Sequence, residues 1–163
     1  MTPRIGWYIH HQGRGHLTRM LAIVPHLDAE IRCFSSLPQP DGLPEHCSWT
    51  VLERDDVRGA AADPRVGDPE AGGLLHWAPL RHAGHLGRLA TMVASVAHEP
   101  VDAFVVDVSV EVALLTRLLG IRTVVIAQPG RRNDAAMNWA TARRRRSSRR
   151  GRSLFSTRLT SRR

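Results

Sequence analysis

Short apolar runs alternate with longer helical repeats along the first 127 residues of the chain. The apolar runs are rich in β-branched and aromatic residues and have the length of strands covered on both faces. We predict strands at residues 4–9, 30–35, 49–53, 103–108 and 123–127. Strands that alternate with helices favour an α/β fold, here an open parallel Rossmann-like sheet of about five strands with flanking helices.

Three segments between these runs have apolar residues three or four positions apart, which predicts helices. They span residues 16–27, residues 74–98 (helical at least from Leu80) and residues 110–119. Pro25 removes a backbone donor inside the first helix, so we expect a kink or an early end there. In the second helix, one apolar face is predicted from Leu86, Leu89, Val93 and Val96.

The third helix has recognisable ends, and the segment before the second helix has none. Ser109 is placed to cap the third helix, and Gly120 follows its predicted last residue. Residues 54–73 are polar and rich in glycine, proline and aspartate. No regular element fits them, and we expect a long loop of the kind that often binds ligands.

The common doubly wound strand order makes strands one and four neighbours. Ligands then bind in the crevice between the carboxyl ends of these two strands. His16 follows strand one and Asp107 lies near the end of strand four. This order would therefore bring the two side chains to one crevice.

Charge divides the chain into two parts. Residues 1–134 hold 13 arginines and all 15 acidic residues, a balance of −2, whereas residues 135–163 hold ten arginines and no acid. A segment so charged and so poor in apolar residues cannot bury enough surface to order itself. We predict a folded domain at residues 1–138 and a disordered Arg/Ser-rich tail at residues 139–163.

Bulk features indicate a cytoplasmic protein. No apolar run approaches the ~20 residues of a membrane span, and no signal-peptide core is evident at the start. Cys33 and Cys47 form no CxxC pair and are interpreted as two idle thiols rather than a disulfide.

The glycine turn after strand one allows several interpretations, of which a dinucleotide cradle is the first. Gly13 and Gly15 match half of G-x-G-x-x-G, but Thr18 occupies the third glycine position. Ser35 and Ser36 stand where an acid would bind the ribose. The match is weak, and we predict no cofactor.

A metal site is the second interpretation of the turn. Adjacent side chains at a strand end point to opposite sides, so we expect His10 and His11 to diverge. Six histidines occur in two groups, neither with the spacing of a zinc motif: His10, His11, His16, His76, His82 and His85. We therefore predict surface or hydrogen-bonded histidines and no metal.

A catalytic histidine is the third interpretation. His16 would lie at a helix N-terminus, where the helix dipole disfavours the imidazolium and keeps a neutral base available. Asp107 could hold the other ring nitrogen, and such a base with its orienter activates a hydroxyl. In the alternative interpretation, His16 caps the helix and Asp107 bonds to backbone.

Two segments of this sequence resemble GT-B glycosyltransferases that use nucleotide-sugar donors. Residues 10–27, HHQGRGHLTRMLAIVPHL, resemble the N-terminal loop and first helix of these enzymes. Residues 102–130 resemble their fourth strand, following helix and fifth strand. The resemblance covers about residues 1–138, the N-terminal half of a GT-B fold.

The resemblance implies a role for each matching residue. His16 would be the general base and Asp107 its partner. The acceptor, a small-molecule or lipid-linked hydroxyl compound, would contact Gly13, Arg14, Gly15 and Gln128. The nucleotide-sugar would be a co-substrate.

The sequence departs from this family in length. Members are about twice as long, and their second domain holds the nucleotide-sugar. We expect a chain truncated or frameshifted after about residue 138, inactive alone, with a donor-binding domain as its missing partner. As an alternative function, ten tail arginines could bind nucleic acid or another anionic surface.

Overall fold

Five strands and three α-helices make up the described part of the chain. The computed structural model describes residues 1–56 and 68–126. The strands are β1 (Arg4–Tyr8), β2 (Glu30–Ser35), β3 (Cys47–Val51), β4 (Ala103–Asp107) and β5 (Arg122–Ile126). The helices are α1 (Arg14–Ile23), α2 (Ala83–His98) and α3 (Val110–Leu118).

All five strands are parallel, in the order β3-β2-β1-β4-β5. The predicted α/β, Rossmann-like sheet with flanking helices is therefore confirmed, as is the pairing of strands one and four. Central β1 pairs with β2 on one side and with β4 on the other.

The sheet separates two apolar layers, because successive side chains of a strand point to opposite faces. On the α1 side, Trp7 and Ile9 pack with Met20 and Val24. On the other side, Tyr8 joins a cluster with the α2 and α3 residues Met92 and Val112. A fold covered on both faces leaves the edge at the strand ends for chemistry.

One boundary prediction is confirmed, and another is wrong by two residues. Helix α1 ends at Ile23, and a single 3-10 turn, Val24–His26, holds Pro25 in its first turn, so the early end is confirmed. Strand β3 begins at Cys47 instead of residue 49, since backbone pairing with β2 starts there and does not require an apolar side chain.

The start of α2 was predicted too early. Residues 74–82 are turns and irregular segments, and the helix begins after His82, whose Nδ1 accepts a hydrogen bond from the His85 N–H at 3.2 Å. Position 84, inside the helix, requires glycine because an added Cβ would collide with the carbonyl oxygen of Arg54. That glycine permits close approach of the loop after β3.

The predicted buried face of α2 is also partly wrong. Leu86 is 71% exposed, whereas Arg88, Met92 and Val96 form the buried stripe. The stripe keeps the helical spacing of four but includes an arginine.

The remaining predictions concern the ends of α3, the two cysteines and membrane spans. Ser109 caps α3 by accepting from the Val112 N–H at 3.2 Å, and Gly120 follows the helix with a φ of 77°. Cys33 and Cys47 are free thiols, and burial raises the pKa of Cys33 to about 12. Among the described residues, every helix is too short or too polar to span a bilayer.

Several predictions fall outside the described ranges. They concern most of the loop at residues 54–73, the site residue Gln128 and the whole Arg/Ser-rich tail. Each stays a prediction from the sequence.

Gly6→Ala is expected to destabilise the domain by about 1–3 kcal/mol. A Cβ on central β1 would collide with the ring of Phe104, which stacks on Phe34 at a centroid distance of 5.6 Å. Urea denaturation followed by circular dichroism measures the effect. Gly15→Ala is the matched control, because a Cβ there meets nothing within 4 Å and alanine favours the helix. An unchanged midpoint for Gly6→Ala would contradict the described packing.

Candidate active site

His16 and Asp107 meet at the carboxyl edge of the sheet. His16 is the third residue of α1, which follows β1, and Asp107 is the last residue of β4. His16 Nδ1 lies 3.1 Å from Asp107 Oδ1. Asp107 is fully buried and the His16 side chain is 11% exposed. The strand order thus brings together two side chains that are 91 positions apart in sequence.

Arg19 is the third member of this group and was missed in the sequence. Its Nη1 donates to both carboxylate oxygens of Asp107, at 2.7 and 2.9 Å. Residues three apart share a helix face, so Arg19 lies beside His16 on α1. The His16 contact, although short, is not aligned as a hydrogen bond. The signal available in the sequence was the spacing of three residues between His16 and Arg19, which places both on one face of a helix.

The turn before α1 leaves the helix N-terminus open. Gly13 has a φ of 89°, which glycine adopts freely, and no side chain caps the first turn. His16 is therefore not the helix cap, contrary to the alternative interpretation. Gly13, Arg14 and Gly15 are exposed and form the rim beside His16.

Val108 introduces backbone strain next to Asp107. Its φ of 77° lies in the left-handed region, which is rare for a β-branched residue. Such conformations cost about 1–3 kcal/mol and concentrate at functional sites. The turn sends the chain from β4 into α3 directly behind the buried carboxylate.

His10, His11 and His16 form one group of rings, so the expected divergence of His10 and His11 is wrong. Their ring centroids are 5.1 Å apart with an interplanar angle of 12°, and His10 is 5.7 Å from His16. The strand ends at Tyr8, so both rings belong to the loop and do not follow strand alternation. Among the described residues, no group of three ligating side chains could hold a metal ion.

His10 is neutral at physiological pH. Its Nδ1 accepts from the Gln12 N–H at 3.1 Å, which places the ring proton on Nε2. Burial, with smaller effects of neighbouring basic groups, lowers the pKa of His10 to about 4. His10 therefore adds no positive charge beside His16.

A second buried carboxylate lies on the opposite face of the sheet. Asp55 contacts the guanidinium of Arg88, which is only 2% exposed and also donates to the Tyr8 hydroxyl at 2.8 Å. His85 Nδ1 lies 3.6 Å from Asp55. Burial raises the pKa of Tyr8 to about 12, so the phenol stays protonated. We name these four residues the Asp55 cluster; no sequence pattern indicated it, because the predicted apolar face of α2 did not include Arg88.

Hydrogen bonds hold residues 76–77 over the Asp55 cluster. The backbone N–H groups of His76 and Trp77 donate to Glu111 Oε1 at 2.6 and 3.0 Å. The Trp77 indole donates to the Asp55 carbonyl oxygen at 2.9 Å. A cavity of about 20 Å³ beneath them is large enough for one water molecule.

The serines at the end of β2 bind backbone. Ser35 Oγ donates to the Ile9 carbonyl oxygen at 2.8 Å, and Ser36 Oγ donates to that of Glu53 at 3.0 Å. Both hydroxyls hold the loops around the crevice in place, at the position where a dinucleotide site would carry an acid.

Comparisons with known proteins give a likeness in structure but none in sequence. No protein-family model matches the sequence, and the comparison with curated proteins finds no match. The chain is similar to a UDP-glucosyltransferase from Polygonum tinctorium, capable of glucosylating indoxyl, in a complex with 3,4-dichloroaniline. Identity is 19% and the TM-score is 0.48, over 77% of this chain and 29% of that enzyme. The chain thus spans less than a third of the length of that protein.

Proposed function

We propose that this chain is the acceptor-binding part of an inverting glycosyltransferase that uses a nucleotide-sugar donor. The observation that carries the proposal is the contact between His16 Nδ1 and the buried carboxylate of Asp107 at 3.1 Å. It lies at the switch point between β1 and β4, where open parallel sheets bind ligands. The motifs around both residues resemble those of GT-B glycosyltransferases.

The contact leaves one ring nitrogen of His16 for chemistry. Because Nδ1 faces Asp107, Nε2 is the nitrogen that can take a proton from an acceptor hydroxyl. The hydroxyl oxygen then forms a bond to the anomeric carbon of the donor. The bond from that carbon to the nucleotide diphosphate breaks on the opposite side, and the diphosphate leaves with the electron pair. Asp107 stabilises the imidazolium that results.

The position of His16 suits a base. In the first turn of α1, the positive end of the helix dipole disfavours a charged imidazole. That turn itself carries no acidic side chain, and the nearby carboxylate of Asp107 is paired with Arg19. A neutral ring at rest is the form that general-base catalysis requires.

The rim beside His16 is proposed to contact the acceptor. Gly13, Arg14 and Gly15 are exposed there, and the glycines let a ligand approach the backbone closely. Gln128 is proposed for the same role from the motif alone. The acceptor is a small-molecule or lipid-linked hydroxyl compound, the donor a co-substrate held by a separate domain, and no cofactor is assigned.

Acceptor binding without sugar transfer is the expected result for the isolated 163-residue chain. A panel of phenolic and lipid-like alcohols is titrated while ring-proton resonances of His16 are followed by NMR, with His16→Gln to assign them. UDP-, dTDP- and GDP-sugars are then added and transfer is measured. Shifts at His16 without transfer support the proposal.

Two outcomes would contradict it. Turnover by the isolated chain would mean that the donor site lies within these 163 residues. Alcohols that perturb residues elsewhere and leave His16 unaffected would remove the crevice from acceptor binding.

A further inference from the structure

Asp107 has more basic partners than one carboxylate needs. It is fully buried, and an ionised carboxylate without water needs a compensating positive charge. Two groups can supply that charge, the guanidinium of Arg19 and the imidazole of His16. Which of them does so determines whether His16 is free to act as a base.

The geometry assigns the charge to Arg19. Its Nη1 reaches both oxygens of Asp107, at 2.7 and 2.9 Å, whereas His16 Nδ1 lies near Oδ1 alone and is not aligned as a hydrogen bond. A guanidinium stays charged at any pH a protein meets, and an imidazole does not. Arg19 therefore satisfies Asp107 without a proton on His16.

We propose that Arg19 is a positioning residue for His16, which keeps the His16 ring neutral by neutralising Asp107. Its meaning for catalysis rests on the proposed glycosyl transfer. Without Arg19, the buried carboxylate would draw a proton onto the adjacent ring, and the resulting ion pair could not accept another proton from a hydroxyl.

The other groups around His16 do not replace Arg19. His10 faces His16 from the preceding loop and is neutral, and His11 lies behind His10 with Asp55 and Asp56 as its acidic neighbours. Among the described residues, the charged groups that contact the pair are thus Arg19 from α1 and Asp107 itself. The Arg19 side chain is 34% exposed, so shortening it opens no large internal cavity.

The test compares Arg19→Met and Arg19→Lys by NMR titration of the His16 ring protons, with Arg117→Met as control. Arg117 is an exposed arginine on α3 without an ion pair among the described residues. In Arg19→Met, the midpoint of the ring titration is expected to rise by about one pH unit. In Arg19→Lys and Arg117→Met, it should stay near the wild-type value. A wild-type midpoint in Arg19→Met overturns the proposal.

A replacement variant and a transfer assay separate the role of Arg19 from a folding defect and from the proposed function. Arg19→Gln replaces Arg19→Met if the methionine variant does not fold, as judged by circular dichroism. In a transfer assay with a donor-binding partner, Arg19→Met should lose activity as the pH falls and regain it at higher pH, with an unchanged KM for the acceptor. A shifted titration without any transfer by the wild type would reject the glycosyltransferase and keep Arg19 as the group that holds His16 neutral. Transfer by the wild type, together with an unchanged His16 titration in Arg19→Met, would reject the role of Arg19 and keep the proposed glycosyltransferase.

Discussion

His16→Ala is expected to lower sugar transfer by about 10²–10⁴-fold when a donor-binding partner is supplied, the usual contribution of a positioned general base. The acceptor hydroxyl would lose the nitrogen that takes its proton, while the rim of exposed residues before α1 stays in place. The measurement is kcat/KM for the acceptor, with the donor KM determined alongside. The loss should appear in kcat, and donor binding should be unchanged.

His98→Ala is the matched control for this experiment. His98 is an exposed histidine at the end of α2, so its removal tests the general effect of losing an imidazole. Both variants should have wild-type circular dichroism spectra. If His16→Ala retains wild-type transfer, His16 has no catalytic role and the proposed mechanism is wrong.

Arg88→Met is expected to destabilise the domain by about 3–5 kcal/mol, because it leaves the carboxylate of Asp55 buried without its partner. The same change removes the hydrogen bond to the Tyr8 hydroxyl in the core. Urea denaturation at pH 7 measures the loss of unfolding free energy. Arg117→Met, at an exposed position, should stay within about 0.5 kcal/mol of the wild type.

A double variant and an acid titration identify the cause of the stability loss in Arg88→Met. Burial alone would raise the pKa of Asp55, but the nearby ring of His85 and the charge of Arg88 outweigh it and lower the pKa to about 2. Wild-type stability from this carboxylate is therefore present above about pH 4 and is lost as the pH falls towards 2. Arg88→Met should reduce this acid dependence, and Arg88→Met/Asp55→Asn should recover part of the lost stability. A loss below 1 kcal/mol in Arg88→Met would contradict the described pairing.

The sheet could be predicted from the sequence because its signals are local. Strand β2 has the predicted bounds, and Pro25 ends α1 where a missing donor requires it. The neighbouring positions of β1 and β4 followed from the general preference of doubly wound sheets. His16 and Asp107 could then be placed in one crevice without any structure.

The arginine partners of the two buried carboxylates were not found in this way. Apolar periodicity counts only apolar residues, so Leu86 was placed on the buried face and Arg88 was not considered, whereas the structure exposes Leu86 and buries Arg88. Arg88 is buried because Asp55 arrives from a distant loop, and no local pattern encodes that meeting. The start of α2 was missed for a related reason, since the backbone N–H groups of His76 and Trp77 donate to Glu111 of α3, a partner that lies far away in the sequence.

The central position of β1 has a consequence for synthesis on the ribosome. The residues of β1, β2 and β3 leave the exit tunnel early and can pair, but the other edge of β1 waits for Ala103–Asp107. The backbone N–H of Arg4 likewise lacks its hydrogen-bond acceptor until Asp102, 98 positions later, has been synthesised. During that interval an apolar strand presents free backbone groups, the kind of edge that captures other chains. Arrival of β4 closes this edge of β1 and assembles His16, Arg19 and Asp107 in the same step, so the candidate site forms only when the central strand has both of its neighbours.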